Sequence, residues 1–155
     1  MRESTQSDSA ACASQSAGAP LAVRKMPRVL IAEDELTFRA LLQWAFEDDG
    51  CEVVTVADGR RLLDLLAASL VPGSGVEPFS LVVSDVRMPG WTGLAALEDL
   101  CRRPFVPPVV VVTAFGSEEV HRRAEDAGAV AVLDKPFDIE DLTALGQRAM
   151  SKHPV

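Results

Sequence analysis

Apolar residues fall along this chain in two alternating patterns. Four short unbroken runs, Val29–Ala32, Leu81–Val83, Val109–Val112 and Val130–Leu133, are bounded by polar or turn residues. Each is too short for a helix and reads as a buried strand. The first begins at Arg28, and the second spans Phe79 to Ser84. A fifth strand, Glu52–Val56, is predicted from its β-branched core of Val53, Val54, Thr55 and Val56. Between the runs the spacing changes to that of helices. Phe38, Leu41, Leu42, Ala45 and Phe46 form one stripe, predicting a helix over Glu35–Asp49 with a stop at Gly50. Asp58 caps a second helix that reaches about Leu70, and the Pro- and Gly-rich Val71–Pro78 follows as a loop. A third helix opens at Thr92 or Gly93, runs through Leu94, Leu97 and Leu100, and ends at Arg102-Arg103-Pro104. Ser117 caps a fourth, Glu118–Ala127, with Gly128 as its stop; its stripe of Val120, Ala124 and Ala127 is poor in large apolar groups. Asp138 caps a fifth, carrying Ile139, Leu142 and Leu145 on one face.

Strands alternating with helices predict an α/β fold, a parallel sheet covered on both faces with right-handed crossovers. That architecture gives the strand ends a meaning, because ligands bind at the carboxyl edge of such sheets. The first strand runs into Glu33-Asp34. The next central run leads to Asp85 and then Met88-Pro89-Gly90, the following one to Thr113, and the last to Asp134, Lys135 and Pro136. Single acids at strand ends are ordinary surface residues. The set is different: three carboxylates on one edge repel one another without a cation, and clustered oxygen ligands suit Mg²⁺. An acid cluster beside one lysine also fits phosphoryl transfer, in which metal and ammonium offset the developing charge.

Composition narrows the picture. A chain of 155 residues favours one domain, and 48% apolar content is enough for an ordinary core. No stretch is long enough to span a membrane. Residues 1 to about 26 are rich in Ser, Ala, Gln and Gly and read as a flexible tail. They carry three basic and two acidic side chains, so of a net charge of −8 the remainder holds −9. That acidity argues against direct nucleic-acid binding. Cys12, Cys51 and Cys101 show no metal spacing and are expected as free thiols in a reducing cytoplasm. His121 and His153 lie too far apart to suggest a metal site. Met26 directly precedes the first strand and is a candidate start codon.

Glu33-Asp34, Asp85-x-x-Met88-Pro89-Gly90, Thr113-Ala114 and Lys135-Pro136-Phe137 together resemble the receiver domain of bacterial two-component response regulators. The resemblance covers about residues 28 to 150. It implies the flavodoxin-like (βα)5 fold, a doubly wound parallel sheet in the order 2-1-3-4-5. It also implies roles. Asp85 would accept a phosphoryl group from a sensor histidine kinase or phosphotransfer protein. Glu33, Asp34, Asp85 and the backbone carbonyl of Arg87 would bind Mg²⁺, with Glu33 acting mainly through metal-bound water. Thr113 and Lys135 would contact the phosphoryl group, Ala114 would leave room for it, and Lys135-Pro136 would be a cis peptide. Arg87 stands where the family tunes dephosphorylation; Phe115 reads as a loop aromatic lying over the site, and a separate hypothesis has the two shielding the product from water.

The family often carries an aromatic rotamer switch three residues before the lysine; Val132 stands there instead. The signal would leave through the fourth helix, fifth strand and fifth helix. His121, Arg122 and Arg123 lie on that helix, where they either face a downstream protein partner or form an ordinary solvated face, and a phosphorylation-dependent homodimer is compatible. The expected organisation is a tail (1–26), a receiver (27–151) and a short end (152–155) without an output domain, either stand-alone or cut from a longer regulator. Two other readings fit the sequence less well. An Asp-nucleophile phosphatase of the haloacid-dehalogenase type needs a second aspartate where Arg87 stands. A pseudo-receiver, binding without phosphorylation, would be expected to lack Asp85, Lys135 or the acid pair.

Overall fold

A computed structural model describes residues 24–88, 94–104, 106–114 and 116–154. The expectations for residues 1–23, the Pro89-Gly90 turn, the helix opening at Thr92 or Gly93, and Phe115 lie outside these residues. The described strands are β1 (Arg28–Ala32), β2 (Glu52–Val56), β3 (Leu81–Asp85), β4 (Val109–Thr113) and β5 (Ala131–Asp134). The helices are α1 (Leu36–Asp48), α2 (Gly59–Ser69), α3 (Leu94–Cys101), α4 (Glu118–Ala127) and α5 (Ile139–Lys152). All strand pairings are parallel, in the order β2-β1-β3-β4-β5. This is the doubly wound, flavodoxin-like order that the resemblance implies.

The unbroken apolar runs follow from burial on both faces. Every residue of β3 and β4 is buried. On β1, Val29 and Ile31 join one core with Leu42 and Phe46 of α1 and Leu142 of α5. Their neighbours Leu30 and Ala32 join the opposite core with Leu62 and Leu66 of α2, Leu97 of α3 and Ala124 of α4. Successive side chains on a strand point to opposite faces, so each run builds both cores.

Several predicted boundaries shift. β3 starts at Leu81 rather than Phe79 and runs through Asp85; β4 includes Thr113; β5 is displaced by one residue, to Ala131–Asp134. The cause is the hydrogen-bond ladder, which continues past the apolar run: Asp85 pairs with Val112, and Thr113 with Asp134. Glu35 sits at the cap of α1 rather than in its first turn. Its carboxylate accepts from the N–H groups of Thr37 and Phe38 at 2.9 and 2.7 Å. Those bonds hold the Glu35 carboxyl below its ordinary range. Leu41, assigned to the buried stripe of α1, is 45% exposed.

α5 lies close on the sheet. A Cβ at Gly146 would come within 2.9 Å of both Leu81 Cδ2 and Phe46 Cε1. Both neighbours are fully buried and have little room to yield. Gly146→Val is therefore expected to destabilise the fold by about 1–3 kcal/mol, as core overpacking does. Urea unfolding at unchanged m-value would measure it.

α4 is held differently. Ser117 caps it and Gly128 ends it at a left-handed φ of 106°. Among its residues only Ala124 is buried, as the weak stripe foretells. Arg123 Nε reaches Glu98 of α3 at 2.7 Å, and His121 Nε2 lies 2.9 Å from Asp134 Oδ2. A Cβ at Gly116 would stand 1.7 Å from Asp134 Oδ1, so a larger residue there would push the Asp134 and His121 side chains aside. Among the described residues, no helix is long and apolar enough to cross a membrane.

Candidate functional site

The topology delivers the predicted residues to one edge. β1 and β3 are neighbours, and their register sets Ala32 opposite Ser84. The next residue in each case is an acid: Glu33, just past β1, and Asp85, the last of β3. Both are buried, at 1% and 6% exposure, whereas Asp34 is exposed. One carboxylate oxygen from each of Glu33, Asp34 and Asp85 lies within 4.8 Å of the other two.

Lys135, the residue after β5, closes the cluster. Its Nζ donates to Glu33 Oε2 at 2.6 Å and to Asp85 Oδ2 at 3.0 Å. The remaining oxygens are also held. Glu33 Oε1 accepts from the Glu35 N–H at 3.1 Å, and Asp85 Oδ1 from the Arg87 N–H at 2.9 Å. Thr113 is fully buried, and its carbonyl accepts from the Lys135 N–H at 2.8 Å, tying the ends of β4 and β5 together. The Lys135-Pro136 bond is cis, as the resemblance implies. Ala114 is exposed beside Thr113. Val132, in the place of the aromatic switch, is half-buried against the α2–α3–α4 core.

Charge at this edge is unbalanced. Burial raises the Glu33 carboxyl above the ordinary carboxylate range, although the Lys135 bond and the Glu35 N–H pull the other way. For Lys135, burial opposes the charged form. The hydrogen bonds to Glu33 and Asp85 and their charges outweigh it and hold the ammonium above the ordinary lysine range. Three carboxylates thus face one ammonium in an all-oxygen set, the chemistry that suits Mg²⁺.

Arg39 and Phe38 were not legible as site residues, and Phe137 was named only as part of the Lys135-Pro136-Phe137 motif. Arg39 of α1 donates from Nη1 to the carbonyls of Glu33 and Asp34 at 2.9 and 3.3 Å, fixing the backbone of the acid pair. The ring of Phe38 lies under Lys135, with Nζ 4.5 Å from its centroid. Phe137 meets Phe38 edge-on, at 5.8 Å and 73°. Helical spacing assigned Phe38 to the core; its position one turn after the acid pair was the available signal for a second role.

Comparisons with known proteins agree with this geometry. The family model for the response regulator receiver domain matches residues 29–146. The chain is 37% identical over 126 residues to the transcriptional regulatory protein PdtaR of Mycobacterium tuberculosis, covering 81% of this chain and 57% of that protein. It is 34% identical over 125 residues to the DNA-binding transcriptional regulator NtrC of Escherichia coli, covering 81% of this chain and 25% of that protein. The chain therefore spans only part of the length of these relatives. Among solved structures, the chemotaxis response regulator CheY4 of Vibrio cholerae matches with a TM-score of 0.65 and 30% identity, over 81% of this chain and 99% of that one. The receiver domain of the Francisella response regulator 1452 matches with a TM-score of 0.71 and 25% identity, over 81% and 98%. From β1 to the middle of α5, fold and sequence carry one signature, and the chain belongs to the family of response regulator receiver domains, the signalling modules of two-component systems.

Proposed function

We propose that residues 27–151 form a phosphorylation-controlled switch with Asp85 as the acceptor. The observation that carries this reading is the Lys135 ammonium held between two buried carboxylates, Glu33 and Asp85, from neighbouring strands. An Asp85 oxygen attacks the phosphorus of a phosphohistidine on a sensor histidine kinase or phosphotransfer protein. A P–O bond forms, the P–N bond breaks, and the imidazole leaves with the bonding pair. Glu33, Asp34, Asp85 and the Arg87 carbonyl would hold Mg²⁺, which when bound supplies positive charge opposite the phosphoryl oxygens. The chain's own part is placement. The Arg87 N–H orients Asp85, Arg39 fixes the acid pair, and Lys135 and Thr113 meet the new phosphoryl oxygens.

The added group brings about −1.5 to −2 charge and strong acceptors. Lys135 and Thr113, at the ends of β5 and β4, shift toward it. Converting a mostly inactive population to a mostly active one takes about 5 kcal/mol of preference. α4, lightly packed and tied to Asp134 through His121, is the element that responds. The surface of α4, β5 and α5 then presents a changed face to a downstream protein partner or to a second copy of the chain. The free, half-buried or buried thiols of Cys51 and Cys101 fit a cytoplasmic setting.

Intact mass after incubation with Mg²⁺ and a small acyl phosphate tests the reading. One phosphoryl group should add, and a chelator should prevent it. Folded protein that binds Mg²⁺ yet gains no mass would overturn the proposal and leave a binding module that works without phosphorylation.

A further inference from the structure

We infer that Phe38 is a positioning residue for Lys135, its ring serving as the third contact of the ammonium; this rests on the phosphoryl-transfer reading of the same site. An ammonium has three N–H donors. Two of them are used by Glu33 at 2.6 Å and Asp85 at 3.0 Å. On a further side lies the Phe38 ring, 4.5 Å from Nζ to the centroid. That distance is within the range in which a ring's negative face attracts a cation. Lys135 is 22% exposed in its side chain, so the contact is partly shielded from water.

The ring is itself fixed. Phe38 sits in the first turn of α1, where its N–H is bonded to the Glu35 cap at 2.7 Å. Phe137, two residues beyond Lys135, meets it edge-to-face at 5.8 Å, the arrangement aromatic pairs favour. Both rings pack against the α1–α5 core. The lysine and the aromatic that braces its platform therefore come from one loop, and the platform from the helix that follows the acid pair. A cavity of about 470 Å³ opens here, lined by Glu35, Phe38, Lys135, Pro136 and Phe137. Without the ring, the ammonium could swing out into it.

The three contacts have different fates. When a phosphoryl group arrives, the hydrogen-bond partners of Lys135 change: Asp85 becomes an acyl phosphate, and Glu33 would also face Mg²⁺ when it is bound. The ring offers the same face before and after transfer. Phe38 thus keeps Nζ aimed at Asp85 while its hydrogen bonds are exchanged, reducing the reorganisation the lysine must undergo.

The test compares wild type, Phe38→Leu and Phe38→Tyr for the rate of phosphoryl addition from a small acyl phosphate with Mg²⁺. Phe38→Leu keeps an apolar side chain but removes the π face, and should slow addition about fivefold, equivalent to about 1 kcal/mol. Phe38→Tyr should recover most of the rate. A second readout is independent of transfer: in wild-type protein the Lys135 side-chain NMR signals should be shifted upfield by the ring. Wild-type rates in Phe38→Leu, or a Lys135 without a ring-current shift, would overturn the inference. A wild type that takes up no phosphoryl group would sink the functional reading instead, and the NMR shift would still decide whether Phe38 holds Lys135. Should Phe38→Leu fail to fold, the shift and the Phe38→Tyr rate decide alone; a tyrosine as slow as a variant lacking the lysine counts against it.

Discussion

Asp85→Asn protein, incubated with Mg²⁺ and a small acyl phosphate, is expected to remain at its unmodified mass. In the proposed transfer this buried carboxylate is the nucleophile, and an amide oxygen in its place cannot form a stable acyl phosphate. Removing a nucleophile outright costs roughly 10⁴-fold or more in rate. The substitution should spare the fold, because the asparagine oxygen can still accept from the Arg87 N–H, which now bonds Asp85 Oδ1 at 2.9 Å. A phosphoryl group found on the variant, with a cooperative melt like that of wild type, would place the acceptor elsewhere.

Lys135→Ala should separate metal binding from transfer. The ammonium sits 2.6 Å from Glu33 and 3.0 Å from Asp85, two of the oxygens a cation would need. Removing a positive charge a few ångströms from the metal position should tighten Mg²⁺ binding roughly tenfold, since charges at that range interact by more than a kcal/mol even when well screened. Transfer should nevertheless slow by roughly 100-fold, because the phosphoryl oxygens lose a donor where charge develops. Metal-free stability should fall by about 2 kcal/mol, less than for a fully buried pair because Lys135 is partly exposed. The sign with pH follows from the raised lysine value. The contribution is intact below the ordinary lysine range and fades only as pH rises through the folded value, so at neutral pH all of it is at stake. Mg²⁺ titrated into the variant should restore the melting temperature. Weaker Mg²⁺ binding than wild type would refute the competition between lysine and metal.

Most of the fold was legible because both faces of the sheet are buried, which writes β1, β3 and β4 as unbroken apolar runs. The strand ends were misplaced where a polar residue continues the ladder, as Asp85 and Thr113 do. On α1 the periodicity placed Leu41 inside, but it lies about 100° around the helix from Leu42, which defines the core direction. The sheet order brought together Glu33, Asp34, Asp85, Thr113 and Lys135, all named from their positions after strands. What escaped the sequence was reach: that Arg39 turns back to carbonyls five and six residues earlier, and that Phe38 meets a lysine from the far end of the chain. Such contacts depend on side-chain direction, which spacing alone does not encode.

With Ala124 as its only buried residue, α4 owes little of its sequence to the core. Exposed positions such as Glu118, Glu119, Arg122, Glu125 and Asp126 can change within about 0.5 kcal/mol of neutral, as surface substitutions usually do. If α4 is the responding helix, as proposed, it is also the one whose surface can drift most freely in evolution, or be rewired by design, while the acid–lysine edge stays fixed.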